Sequence, residues 1–223
     1  MPRHARAPRR RRTPIMIMIG GAVLLVAAGV IAFSTANIFN SPSGTPSQAS
    51  KDLRGQTVVL DPGETPEPAA SAKAIRSIGT TVKVPSVGLD VPLGALNAVD
   101  GQITPPGFTS AYWVRNMGVP VADGKSGTVF IVMHSLRGGG VAPGNYLTNV
   151  NTQTSRVKVG ATVEVADVMY TVTGSQLIDK KTIARNSSVW TNTPNRLLLI
   201  TCLEHANGSA STDNLVITAK RNS

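Results

Sequence analysis

The chain has 223 residues, room for one ordinary domain with extensions and too few for an embellished α/β barrel. It carries 22 Lys and Arg against 12 Asp and Glu, a net charge of +10 that would suit an anionic partner if the charge lay on a folded surface. Aromatics at 4% and 36 Gly and Pro residues disfavour helical bundles, and a single cysteine excludes an internal disulfide and any Cys-based metal cluster.

Six arginines, Arg3, Arg6 and Arg9 to Arg12, fall in the first twelve residues with no acid among them, so the rest of the chain carries only +4. Directly after them, Ile15 to Phe33 runs nineteen residues without a charge. As a helix rising ~1.5 Å per residue this segment is about 28 Å long, close to the roughly 30 Å of a hydrocarbon core. Basic residues before it and no comparable cluster after it predict a cytoplasmic tail at 1–14, a transmembrane anchor at 15–36 and a domain outside the cell membrane. The charge is then topogenic, and no nucleic-acid partner is expected. A cleaved signal peptide ending near Ser34-Thr35-Ala36 is the alternative, although nineteen apolar residues exceed an ordinary signal core.

Residues 37–74 are rich in Ser, Pro, Gly, Thr and Ala and read as a flexible extracytoplasmic linker, spanning roughly 31 to 37 Å if it behaves as a random coil. From 75 to 223 the texture changes to short runs heavy in Val, Ile and Thr: TVKVPS, LDVPLG, TVFIVMH, RVKVG, TVEVAD, MYTVTGSQLI, NRLLLITC and NLVITAK. Their spacing predicts an all-β sandwich or closed barrel with few short helices.

Cys202 ends the run Arg196 to Cys202, at the edge of a strand in a compartment where unpaired thiols are unusual. It reads either as a nucleophile or as a small buried residue. Of the three histidines, His4 lies in the basic tail. His134 ends Thr128 to Met133 and precedes a loop with Gly138-Gly139-Gly140, while His205 follows Cys202 by three residues on the next loop. Strand-end placement beside a glycine loop favours His134 as the partner of Cys202. Trp113 and Trp190 read as packing residues with bonded indole N–H groups rather than stacking platforms. The three glycines lack the Gly-Lys-Ser/Thr of a phosphate loop. No metal site and no cofactor is expected.

These residues resemble the sortases, membrane-anchored cysteine transpeptidases of Gram-positive bacteria. Leu198 to Cys202 matches their Thr-Leu-X-Thr-Cys signature with Leu198 in place of the first Thr, and Ile131-Val132-Met133-His134 matches the strand ending in their essential His. Leu89 to Gly94, Asp100-Gly101, Pro105-Pro106, the Trp113 segment and Val159-Gly160 look like the actinobacterial class E and F members, over about residues 80 to 220. The resemblance implies a closed sortase-type β-barrel with Cys202 as nucleophile and His134 as general acid and base. It also implies a C-terminal sorting signal of a secreted protein as substrate, a thioacyl intermediate, and a peptidoglycan-precursor or pilin amine as acceptor.

The sequence departs from the pattern where an Arg is expected after the Cys loop: Thr212 or Asn214 stands there. Arg221 would lie about 23 Å down the strand from an Asn214 paired with Cys202. Asn214 and Arg137 are the remaining candidates for oxyanion or substrate positioning. The missing Arg keeps a second reading open, an impaired sortase-fold protein acting as a peptide- or wall-binding module. A third, an L,D-transpeptidase, fits poorly, because its Cys sits in a Ser-X-Gly-Cys context and here Ile200-Thr201 precede it. A membrane-anchored structural or adhesion module with Cys202 in its core is the non-enzymatic reading. Met133, where a small residue is common, is expected to narrow the space around the imidazole.

Overall fold

The structure is a computed structural model, describing residues 50–58 and 67–223. The basic tail at 1–14, the anchor at 15–36 and the first part of the linker lie outside the described residues.

Ten strands form: β1 (Ile75–Val84), β2 (Leu89–Leu96), β3 (Ala111–Val114), β4 (Thr128–Val132), β5 (Thr148–Asn149), β6 (Thr154–Ser155), β7 (Thr162–Val165), β8 (Val168–Asp179), β9 (Arg196–Leu203) and β10 (Asp213–Arg221). Eight of them close a barrel in the order β1-β2-β3-β4-β9-β10-β8-β7, and β5 pairs with β6 alone. Two short helices, α1 (Pro143–Leu147) and α2 (Ser187–Trp190), and four 3₁₀ turns complete the described fold. The all-β closed barrel with few short helices is as expected.

Seven of the eight apolar runs are barrel strands. RVKVG is not: Arg156 and Gly160 bond back to Leu147 and Val172 across loops, and the Val157 N–H is satisfied by Ser155 Oγ, so the alternation there buries Val157 without a strand partner. The eighth barrel strand is β3, whose four residues are too few to show a period.

Most strands alternate, but β4 and β9 are buried on both faces. Their inward residues Val129, Ile131, Leu197 and Leu199 fill the barrel together with Leu215 and Ile217 of β10. Their outward residues Phe130, Val132, Leu198 and Ile200 join Val216, Ile178, Val189 and Trp190 in a second core on the outside of the barrel wall. That is why these strands read as continuous apolar runs, as parallel strands covered on both sides do. α2 and its neighbouring 3₁₀ turn, Ile183–Arg185, roof this outer core.

Within the segment read as a linker, residues 50–57 make contacts with the barrel domain. Lys51 bridges Thr57, Asp52 is buried, and Leu53 packs against the barrel core. Ala72 is also buried, in a 3₁₀ turn before β1. Polar composition hid these contacts because they depend on one carboxylate finding backbone donors rather than on an apolar run.

Candidate active site

β4 and β9 run parallel with Thr128 opposite Arg196 and Val132 opposite Ile200. Continuing that register puts His134, just past the end of β4, at the level of Cys202. On the other side of β9, β10 runs antiparallel and places Asn214 opposite Cys202. His134, Cys202 and Asn214 therefore form a row across three adjacent strands. They share the outward parity of Val132, Ile200 and Val216, so the row opens at the end of the outer core and not into the barrel. All three line one cleft of about 550 Å³ with Ile103, Pro105, Met117, Ile183 and Trp190 among its walls.

The row is held from behind. Ser135 Oγ and Thr201 Oγ1, the residues after His134 and before Cys202, are hydrogen-bonded at 3.0 Å and buried. The Gly144 N–H donates to the His134 carbonyl at 2.8 Å. α1 comes so close here that a Cβ on Gly144 would overlap Thr201 Oγ1 and stand 2.7 Å from that carbonyl oxygen. Asn145 of α1 donates to the Leu136 carbonyl and accepts from the Leu136 and Ala142 N–H groups, tying both ends of the glycine loop.

His134 Nε2 lies 3.1 Å from the Pro105 carbonyl, and its ring packs on Phe108 with centroids 4.7 Å apart at 40°. A carbonyl only accepts, so Nε2 carries the proton and Nδ1 holds the lone pair of the neutral ring. Burial pushes the His134 pKa below its ordinary 6.5, with the Pro105 bond opposing. The imidazolium form of His134 is thus disfavoured by the apolar walls. Cys202 is half-buried, and its Sγ stands 4.0 Å from Asn214 Oδ1, toward which the S–H points as a donor.

Arg137 lies on the loop after His134 and is not among the cleft-lining residues. Arg221 is at the far end of β10, opposite Tyr170, with its N–H on the Asn195 carbonyl. Thr212 bonds to Asp213 Oδ2 at 2.7 Å on the exposed loop. His205, half-buried on the loop after β9, is likewise absent from the cleft lining. Met133 is buried toward the barrel interior while touching the cleft. Trp190 is a packing residue as expected: it stacks on Phe130 at 5.6 Å and donates Nε1 to the Ile183 carbonyl at 2.6 Å. Trp113 corrects the same expectation, because its buried Nε1 has no hydrogen-bond partner among the described residues. Among those residues, no group of three or more His, Cys, Asp or Glu side chains is placed to hold a metal ion.

Phe108 and the walls Met117 and Ile183 escaped the sequence reading, since nothing local marks them. Pro105 was visible only as half of a Pro-Pro pair, with no sign that its carbonyl orients the imidazole.

No protein-family profile matches the chain, and no curated protein does. Solved structures do. Sortase A of Listeria monocytogenes is 21% identical, with 65% of this chain and 86% of that one covered and a TM-score of 0.45. Sortase C-1 of Actinomyces oris is 16% identical over 65% and 73% of the two chains, with a TM-score of 0.47. A pilus-related sortase C of Group B Streptococcus is 15% identical over 79% and 80%, with a TM-score of 0.48.

Proposed function

We propose that the chain is a sortase-like cysteine transpeptidase. The observation that carries the reading is the row of His134, Cys202 and Asn214 on three neighbouring strands, opening together into one apolar cleft. As a peptide carbonyl approaches, the Cys202 thiol proton passes to His134 Nδ1 and the sulfur adds to the carbonyl carbon. The oxyanion is met by the Asn214 amide, whose N–H2 stands on the same group as the oxygen now facing sulfur. The C–N bond breaks as His134 returns the proton to the departing amine, leaving a thioester on Cys202. An incoming amine loses its proton to His134 and adds to the thioester carbon. Collapse then expels sulfur, which regains the proton from His134.

The substrate in this reading is a C-terminal sorting signal, the acceptor a peptidoglycan-precursor or pilin amine, and the subtype the actinobacterial class E or F. Ile15 to Phe33 would anchor the enzyme as a single pass with the N-terminus cytoplasmic and the domain outside, where secreted substrates emerge. No cofactor enters the mechanism.

The alternative, a surface module that binds a peptide or wall component without turnover, is favoured by a neutral Asn214 where the family has a cation. Incubating the full chain with a peptidyl thiol-reactive probe separates the two. Transpeptidase chemistry requires labelling at Cys202 that falls about 10² to 10⁴-fold in His134→Ala and stays largely intact in His205→Ala. No labelling, or labelling indifferent to His134, would leave the binding module.

A further inference from the structure

Residues 50–57 are joined to the loop that carries His134 by a bond in each direction. Asp52 Oδ2 accepts from the Val141 N–H at 2.9 Å, and the Leu53 N–H donates to the Val141 carbonyl at 2.8 Å. The other carboxylate oxygen, Oδ1, accepts from the Arg54 and Gln56 N–H groups at 2.9 and 2.8 Å, closing the segment into a turn that the Lys51 bridge to Thr57 completes. Asp52 is only 3% exposed, and Leu53 is packed on the barrel core.

Val141 has a particular position. It stands between Gly138-Gly139-Gly140, two of which adopt positive φ, and Ala142, whose N–H is held by Asn145. From there the ties run through Asn145 to Leu136 and through Gly144 to the His134 carbonyl. Between its two ends, both held by Asn145, the glycine loop is tied across itself by the Gly140 N–H on the Arg137 carbonyl, and Val141 adds an anchor from outside the loop and α1 where glycine-rich chain is most costly to order.

We infer that Asp52 is a positioning residue: the segment at 50–57 clasps Val141 and so fixes the loop that presents His134 to Cys202. The inference rests on the transpeptidase reading for its consequence in turnover, but not for the clasp itself. The Val141 N–H, aided by those of Gln56 and Arg54, holds the Asp52 carboxyl below the usual carboxylate range, so the acceptor is fully charged at neutral pH. The clasp also gives the linker a mechanical role. The chain arriving from the N-terminal side enters the domain at the loop behind the histidine, so the site is complete only with this segment in place.

Two variants of the full chain isolate the contact. Asp52→Asn keeps an oxygen for Arg54 and Gln56 but turns an N–H2 toward the Val141 N–H, while Asp52→Ala removes all three bonds. Both are expected to lower kcat for peptide cleavage about 10-fold, with KM within about twofold, because the cleft walls that bind substrate are untouched. Amide exchange at Val141 and Leu136 should quicken about 10-fold or more in both. Val163→Ala, in the barrel interior on β7 and matched for melting temperature, should leave kcat and those two amides unchanged. Wild-type exchange at Leu136 in both variants, or an unaltered kcat in an active enzyme, overturns the inference. If the wild-type chain cleaves no peptide, the transpeptidase reading falls instead, and exchange at Leu136 alone decides the clasp.

Discussion

At the scale of single residues, the apolar setting of His134 makes a claim about pH. Its folded pKa lies below the 6.5 of the exposed group because burial opposes the imidazolium. Between those two values the unfolded chain binds a proton that the folded chain does not, so stability falls as pH drops through 6.5 toward the folded value. One such group changes stability by at most about 1.4 kcal/mol per pH unit within that window. Thermal midpoints from pH 8 to 5 are therefore expected to fall more steeply for the wild type than for His134→Gln, and parallel curves would remove burial as the cause. If His134 is the base of the proposed mechanism, the acid limb of kcat/KM should likewise lie below pH 6.5, since the neutral ring would take the thiol proton.

Asn214 supplies the second residue-scale claim. In the proposed mechanism, with no Arg at this position, stabilisation of the oxyanion would fall to a neutral amide, and such a donor is typically worth about 10² to 10³ in rate. Asn214→Ala should lower acylation of Cys202 by that order, whereas Asn214→Arg, facing Cys202 across β9 and β10, should raise it. A tenfold or smaller loss in Asn214→Ala would show that the oxyanion is held elsewhere. This position also shows what the sequence conveyed. Cys202 and His134 stand out because chemistry-bearing side chains at strand ends contrast with Val and Leu, and Asn214 entered with Thr212 only as the position where the resemblance expects an Arg; the structure brings Cys202, His134 and Asn214 to one cleft. Phe108 and the Pro105 carbonyl were not legible, because one is an ordinary apolar residue and the other a backbone atom, and their role depends on the loop from 97 to 110 folding back over the imidazole.

Among the elements, the wall of the cleft formed by α2 depends on one side chain from a neighbouring strand. Arg196, the first residue of β9, donates to Thr128 Oγ1 at 3.0 Å on β4 and to the Ser188 and Val189 carbonyls at 2.8 and 3.0 Å, with a further bond to the Thr191 carbonyl. A helix of one turn leaves its last carbonyls without internal partners, and the guanidinium fork supplies them. Held in this way, α2 presents Trp190 to the cleft and stacks it on Phe130. Arg196→Met keeps most of the stem but strands those carbonyls, and should cost about 2 kcal/mol in denaturant unfolding, with weaker peptide binding. A loss under about 0.5 kcal/mol would mean that water replaces the fork. The same elements separate what patterning can and cannot convey. β9 and β10 were plain as Val, Ile and Leu runs, whereas β3 was too short to show a period. RVKVG alternates perfectly and still is no strand: only Val157 of its two valines is buried, Val159 stands in solvent, and its backbone groups bond across loops, so alternation alone fixed neither burial nor pairing.

For the whole molecule, the barrel closes where β1 meets β7, and that seam is one of two short ladders in its wall, the other being β3 with β4, where Tyr112 stands opposite Val132 and Trp113 opposite Ile131. β1 and β7 pair only at Val82 with Val165 and Lys83 with Glu164, extended by the Ala166 N–H on the Thr81 carbonyl at 3.0 Å. β9 and β10, by contrast, pair continuously from Asp213 opposite Leu203 to Lys220 opposite Arg196. The Lys83–Glu164 ion pair at 3.1 Å crosses the seam on its half-exposed outer side, and that hydrogen bond raises the Lys83 pKa. Local opening should start at β1 and β7 rather than at the equally short β3–β4 ladder, because β4 is buried on both faces while β1 and β7 leave one face half-exposed. The site row lies on β4, β9 and β10, with β2 and β3 between it and the seam on one side and β8 on the other. Lys83→Glu puts like charges directly opposite each other, and is expected to quicken amide exchange at Val82 and Val165 while the alkylation rate of Cys202 stays unchanged. Exchange spreading to β9, or a change in alkylation, would mean that the barrel opens as one unit and that the seam and the site are coupled through the shared interior of Val82, Val165, Leu197 and Leu199.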